Sequence, residues 1–132
     1  MSFYGRSAAP EKARKMYEEL KNCWCAETCA ARMRGDWSKE NATLGQCSIT
    51  SFLVQDELGG EVLGVPLRDG GVHCFNRVDG AVFDLTSEQF GGRTLDYTDC
   101  FPQTRERHFA EDPDKLRRYE LLKKLYEENK TR

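Results

Sequence analysis

The chain has 132 residues, enough for one hydrophobic core but not two, and its 39% hydrophobic and 32% charged residues are typical of a globular protein. No apolar run approaches the roughly 20 residues of a transmembrane helix, which argues against a membrane role, and the first residues lack the apolar core of a signal peptide. The net charge of −2, without a basic block, argues against a nucleic-acid partner. We therefore predict one cytoplasmic domain, 1–132.

Helical periodicity predicts a first helix from Pro10 to Cys25, with a proline suited to its first turn. The polar segment 34–45 is rich in turn-forming residues and predicts an exposed loop. A second helix is expected over Cys47–Leu58, because an apolar stripe begins there and two glycines follow it.

Three β-prone runs follow the second helix, at Glu61–Leu67, Val72–Val78 and Ala81–Leu85. The last two are joined by Asp79-Gly80, and an Asp-Gly pair in that position is a strong signal for a two-residue hairpin turn. The three runs therefore predict a small antiparallel sheet.

The remainder of the chain is expected to be mostly loop over 86–111, with a short helical turn after Thr86. A last helix is predicted from Asp112-Pro113 to about Asn129, because an acidic N-cap precedes a proline. The elements predict an α+β fold in which N-terminal helices pack on the small antiparallel sheet and a C-terminal helix completes the core. His108 falls in the predicted loop without an evident partner, so no role is predicted for it.

The hairpin turn also predicts which side chains share a face of the sheet. A two-residue turn pairs Phe75 with Asp84, and alternate residues of one strand share a face. His73 and Asp84 are then diagonal neighbours, about 7–8 Å apart at the backbone and within reach of a carboxylate–imidazole hydrogen bond. Cys74 is turned to the opposite face, which makes it a poor candidate for a nucleophile.

Cys47 is the candidate nucleophile, because it opens the second helix. The unpaired N–H groups and the dipole at a helix start favour negative charge and lower the pKa of a thiol. The same N–H groups are suited to hold an oxyanion, and Gln46 or Asn41 would add a side-chain donor. A cysteine at a helix start, with His73 as base and Asp84 as its orienter, forms a recurrent nucleophilic arrangement.

Each of these residues also has a purely structural interpretation: a buried thiol, a core histidine, and an aspartate that caps the turn after it. The C-x-C-x3-C cluster of Cys23, Cys25 and Cys29 raises the alternative of a zinc site, but no second pair of ligands accompanies it. We expect packed thiols there, with no metal and no cofactor.

Four segments resemble the YunG family of small bacterial proteins: "CWCAET", "DWSKENATLGQCSITSFLVQDELGGEV", "HCFNRVDGAVFDLTSEQF" and "RYELLKKLYEEN". The resemblance spans nearly the whole chain. It implies a compact α+β unit similar to the papain-like or transglutaminase-like core, with Cys47, His73 and Asp84 at the catalytic positions. The chain departs from the expected pattern at Cys74, where an aromatic residue would follow the histidine.

The leading hypothesis is a cysteine-dependent hydrolase or acyl-transfer enzyme acting on an unidentified peptide or amide substrate through Cys47, His73 and Asp84. The alternative is an inactive member of the same fold that serves as a binding or regulatory module, with loops carrying Trp37, Tyr97 and Phe101 as its recognition surface. A low thiol pKa would favour the enzyme, whereas a pKa of about 8.5 or more would favour the binding module.

Overall fold

A computed structural model describes residues 2–4, 11–67, 70–90 and 95–130. The predicted helix start at Pro10 lies outside these residues. The described helices are α1 (Glu11–Leu20), α2 (Cys47–Leu58), α3 (Arg105–Ala110) and α4 (Pro113–Asn129). The described strands are β1 (Ser2–Tyr4), β2 (Glu61–Pro66), β3 (Val72–Val78), β4 (Ala81–Asp84) and β5 (Phe101–Pro102). The predicted α+β class is confirmed. None of the described helices combines the length and apolar character needed to cross a bilayer.

The strands form one antiparallel sheet in the order β1-β4-β3-β2-β5. Strand β3 lies at its centre, and the β3–β4 hairpin has the predicted register, with Asn76 opposite Phe83 and Val78 opposite Ala81. Asp79 and Gly80 have φ angles of 50° and 81°, the two positive values that a type I′ turn requires. The predicted hairpin is therefore confirmed, and its register fixes the relative positions of His73 and Asp84.

The two faces of the sheet carry separate apolar clusters. One face packs against the helices, and Cys74 and Val78 of β3 belong to that larger core. The other face carries a smaller cluster around Phe75 of β3. The larger core comprises Ala13, Met16, Leu20, Cys23, Trp24, Ile49, Phe52, Leu53, Val54, Val62, Cys74, Val78, Phe83, Leu85, Tyr119, Leu122 and Tyr126. Since side chains alternate along a strand, His73 shares the face of Phe75.

Two hydrogen bonds between buried groups hold α2 in place. The Asn76 side chain donates from Nδ2 to the backbone oxygen of Ser51 at 2.9 Å, which ties β3 to the middle of α2. The indole Nε1–H of Trp24 donates to Thr50 Oγ1 at 2.9 Å. These bonds fix the helix against the central strand, and with it the position of the helix start.

The first helix is shorter than predicted. It ends at Leu20 rather than Cys25, because Trp24 turns its indole toward α2 and Cys25 has extended backbone angles. The predicted exposed loop 34–45 is also more ordered than expected. The 3₁₀ helix Ala31–Asp36 extends into it and a second, Lys39–Asn41, lies within it, while a third, Ala26–Thr28, precedes it.

The predicted loop 86–111 contains regular structure. The expected turn after Thr86 is a 3₁₀ helix over Ser87–Phe90, but strand β5 and helix α3 were not predicted. Helix α3 has six residues, too few to show helical periodicity, and its sequence signal is the N-cap Thr104, whose side chain accepts from the N–H of Arg107.

Gly45 brings the segment before Cys47 against the chain at Cys29 and Ala30. Its φ of 72° is unfavourable for other residues, and an added Cβ would lie 2.5 Å from Cys29 Sγ and 2.9 Å from the Ala30 nitrogen. We expect Gly45→Ala to lower the free energy of unfolding by about 2 kcal/mol or more, measured by urea denaturation. Gly35→Ala is the matched control, because nothing lies within 4 Å of an added Cβ there. Equal stability of the two variants would contradict this account.

Candidate functional site

Cys47 is the first residue of α2, and its free thiol lies on the wall of a cleft of about 600 Å³. Gln46 precedes it as the N-cap, without a side-chain bond to the helix start. The first N–H groups of an α-helix have no partner inside the helix, so the thiol lies at an end of the helix that favours negative charge.

His73 lines the same cleft from β3, and only 1% of its surface is exposed. Its Nε2 lies 2.7 Å from Oδ2 of Asp84, and its ring packs edge-on against Phe90 with centroids 4.8 Å apart. Because the carboxylate accepts the proton of Nε2, Nδ1 is the nitrogen that remains for contact with Cys47. The structure thus brings the cysteine, the histidine and the aspartate together.

Asp84 is fully buried at the end of β4 and accepts four hydrogen bonds. Oδ2 accepts from His73 and from the hydroxyl of Tyr97, each at 2.7 Å. Oδ1 accepts from the backbone N–H and the hydroxyl of Thr86, at 3.0 and 3.3 Å. One oxygen therefore holds the turn after β4, as the structural interpretation expects, while the other orients the imidazole.

Tyr97 is the residue of this group that sequence reasoning misplaced. The binding-module hypothesis put it on an exposed recognition loop, but it is 9% exposed and packs edge-on against Phe75. Burial raises its pKa to about 12, so the hydroxyl keeps its proton and donates to Asp84. No periodicity or turn signal marks its position, because the contact depends on how a loop folds back over the sheet.

The charges of the site favour a thiolate at Cys47. Hydrogen bonding from the thiol of Cys74 lowers the Cys47 pKa well below its ordinary value; burial opposes this, and contact with His73 lowers it further. Burial lowers the pKa of His73, but bonding to Asp84 and Cys47 outweighs it and raises the pKa to about 10. Both shifts favour a thiolate at Cys47 beside an imidazolium at His73.

Cys74 has the opposite behaviour. It is fully buried in the larger core, and its contact with Cys47, together with burial, raises its pKa well above the ordinary value. The raised pKa of Cys74 and the lowered pKa of Cys47 favour the Cys74 S–H as the donor between the two sulfurs. The sequence placed Cys74 on the other face of the hairpin, which its core position bears out, but did not show that its thiol reaches Cys47.

The side chains of Gln46 and Asn41, suggested as oxyanion donors, do not lie on the described walls of the cleft. Gln46 is completely buried, and its Nε2 donates to the backbone oxygen of Cys25 at 3.1 Å. Asn41 ends a 3₁₀ helix and lies six residues before Cys47, where α2 begins. Because the Gln46 side chain is buried away from the cleft, the backbone N–H groups at the start of α2 are the better placed donors.

His108 was assigned no role from the sequence, yet it lines the cleft from α3. Its Nε2 lies 2.7 Å from Gln103 Oε1, and its Nδ1 lies 3.0 Å from Lys115 Nζ. Burial, with the charge of Lys115, lowers its pKa. The ring is therefore neutral, donates to Gln103 and accepts from Lys115, which leaves neither nitrogen free to act as a base.

The cysteines of the C-x-C-x3-C cluster are separately engaged. Cys23 donates to the backbone oxygen of Glu19, and burial raises its pKa to about 11. Cys29 is buried and its pKa is raised by burial, while Cys25 packs against Thr28. Within the described ranges no three histidine, cysteine or acidic side chains are arranged to hold a metal ion.

Comparison with known proteins agrees with the resemblance seen in the sequence. The family model "YunG protein" matches residues 12–131. A relative from Bacillus subtilis (strain 168), described as "Uncharacterized protein YunG", is 29% identical over 107 residues, which cover 81% of this chain and 84% of the relative. No solved structure matches the chain.

Proposed function

Since the chain belongs to the YunG family, whose name assigns no chemistry, we propose from the site itself that the protein is a cysteine-dependent hydrolase or acyl-transfer enzyme acting on an amide or peptide bond. The observation that supports this most directly is the 2.7 Å bond between His73 Nε2 and Asp84 Oδ2, beside the cysteine that begins α2. Cys47 and His73 line one cleft, and Asp84 is bonded to His73, which supports roles as nucleophile, base and orienter.

We further propose that the fold is a small relative of the papain-like or transglutaminase-like core. Three features support this interpretation: a helix that begins at the nucleophile, an antiparallel sheet against which that helix packs, and a neighbouring pair of strands that carry the histidine and the aspartate in that chain order. The chain order Cys47, His73, Asp84 is the order that those folds use.

In the proposed reaction the Cys47 thiolate attacks the carbonyl carbon of the substrate, and the carbonyl π electrons move to its oxygen. The N–H groups of the first turn of α2 stabilise this oxyanion. The intermediate collapses as His73 gives the proton of Nδ1 to the leaving nitrogen, which departs as an amine and leaves a thioester on Cys47.

The second half returns the enzyme to its starting state. His73, now neutral, accepts a proton from water or from an acceptor amine as that nucleophile attacks the thioester. Collapse releases the carboxylic acid or the new amide and restores the thiolate beside the imidazolium. Asp84 holds the ring in one tautomer throughout, through its bond to Nε2.

The test is turnover of p-nitrophenyl acetate, an activated ester that any accessible catalytic thiolate can cleave. We expect a burst of about one equivalent of p-nitrophenolate as Cys47 is acetylated, followed by steady release as water regenerates the thiolate. The rate of the burst, the step in which the thiolate attacks, should rise with pH through the lowered pKa of Cys47. It should fall as His73 loses its proton near pH 10, because acylation uses the thiolate beside the imidazolium.

Two controls separate the proposed enzyme from an inactive binding module. Cys47→Ala protein gives the rate to be subtracted at each pH, and His73→Gln should show no falling limb near pH 10. A single acetylation of Cys47 without any turnover would instead support the binding module. Absence of both burst and turnover would exclude Cys47 as the nucleophile.

A further inference from the structure

The cleft beside Cys47 is basic where it is lined by the 3₁₀ helix Ala31–Asp36 and by helices α3 and α4. The side chains of Arg32, Arg107 and Lys115 line it, and within the described part of the chain none of the three pairs with an acidic group. A fourth cation, Arg118, is buried and bonded to Asp114. The acidic side chains on the described walls are Glu111 and Asp112, so basic groups outnumber acidic ones four to two.

Lys115 is the most informative of these cations. It is half-buried on α4, and its side-chain partner is Nδ1 of His108, at 3.0 Å. Burial lowers the pKa of that imidazole, and the charges of Lys115 and Arg107 lower it further. The ring is therefore neutral and supplies no countercharge. Asp112 is occupied at the helix start, where its Oδ1 accepts from the Lys115 backbone N–H.

An ammonium group in this setting is partly desolvated and has two donors left after its bond to the imidazole. Removing a charge from water without a countercharge costs free energy, which a bound anion would return. The hydrogen bonds between Gln103 and His108 and between His108 and Lys115 also hold the ammonium group in one position. Binding a ligand therefore costs little further side-chain entropy.

We propose that the substrate of this site is an amide or peptide that carries a carboxylate close to the bond attacked, and that Lys115 binds this carboxylate. Arg107 and Arg32, which are exposed at the cleft, add positive potential that draws the anion in. A cleft of about 600 Å³ has room for a few residues of such a substrate. This inference rests on the proposed function and specifies its substrate class.

The test uses two alkylating agents that differ in one group. Iodoacetate and iodoacetamide share size and leaving group, but only iodoacetate carries a carboxylate next to the carbon that is attacked. We expect wild-type Cys47 at pH 7 to favour iodoacetate over iodoacetamide about tenfold more than free cysteine does. Lys115→Met should remove this preference. Iodoacetamide serves as the reference within each variant, because it reports any change in the thiolate itself.

Lys124→Met is the matched control, since Lys124 is exposed on the same helix and does not line the described cleft. Its ratio of rates should stay within about twofold of wild type. Arg107→Met, a change at an exposed side chain, should lower the ratio by about threefold and provides a second variant if Lys115→Met folds poorly.

The two proposals fail in different ways. If both reagents label Cys47 rapidly but Lys115→Met and Arg107→Met leave the ratio at the wild-type value, the carboxylate site is wrong and the nucleophile stands. If neither reagent labels Cys47 faster than free cysteine at pH 7, the proposed function is wrong, and the proposed substrate class is wrong as well.

Discussion

Replacing Cys47 with alanine is expected to abolish labelling of the protein by iodoacetamide at pH 6, whereas Cys74→Ser should leave the labelling within a few-fold of wild type. An ordinary thiol with a pKa near 8.5 is less than about 1% thiolate at pH 6. Contact with Cys74 and His73 lowers the pKa of Cys47 well below the ordinary value, so this thiol alone should be substantially ionised there. Peptide mapping by mass spectrometry after a brief exposure measures the effect, which we expect to be at least about 50-fold.

The choice of serine at position 74 keeps a proton donor beside Cys47, because the Cys74 thiol supplies the largest single contribution to the lowered pKa. Cys25→Ala is the second control: Cys25 is half-buried, as Cys47 is, but lies away from the cleft. Equal labelling of wild type, Cys47→Ala and Cys74→Ser would show that the reactive thiol lies elsewhere.

Local signals were sufficient to predict the pair formed by His73 and Asp84. The two residues are 11 positions apart, and the turn at Asp79-Gly80 sets the register between them. Because side chains alternate along a strand, the register decides which of them share a face. The helix start at Cys47 was likewise marked by the apolar stripe that begins there, and the structure begins α2 at that residue.

The contact between Cys47 and His73 could not be predicted from local signals, because it depends on how α2 packs across β3. Buried bonds such as that from Asn76 to the Ser51 oxygen set this packing, and no pattern in the sequence reveals them. The same reason explains the thiol of Cys74. Strand alternation gives its face correctly but not how near a helix end approaches it.

The remaining parts of the site lie on segments without periodicity. His108 and Gln103 reach the cleft from α3 and the residues before it, and a helix of six residues leaves too few positions to display an apolar face. Oxyanion donors are harder still, because they depend on side-chain direction in a loop. Gln46 is next to the nucleophile in sequence, yet its amide is engaged with Cys25.

Asp84→Asn is expected to remove most of the reactivity of Cys47 while preserving the fold. The carboxylate accepts two donors at Oδ2 and two at Oδ1, whereas an asparagine amide has one accepting oxygen. The backbone N–H of Thr86 cannot reorient, so the amide oxygen should stay at the Oδ1 position and the NH₂ group should face His73. A donor facing Nε2 forces the imidazole proton onto Nδ1, the nitrogen that must accept the proton of Cys47.

The thiol then keeps its proton, and labelling by iodoacetamide at pH 6 should fall by at least about 30-fold, while the free energy of unfolding falls by about 1–3 kcal/mol. Tyr97→Phe is the matched control, because it removes one donor to the same oxygen without changing the imidazole tautomer. It should cost about 1 kcal/mol and leave labelling within about threefold. Labelling rates and urea denaturation separate the two effects. Labelling of Asp84→Asn at the wild-type rate would show that the carboxylate has no part in the reactivity of the cysteine. Neither the loss of its charge nor the change of tautomer would then have altered the thiol.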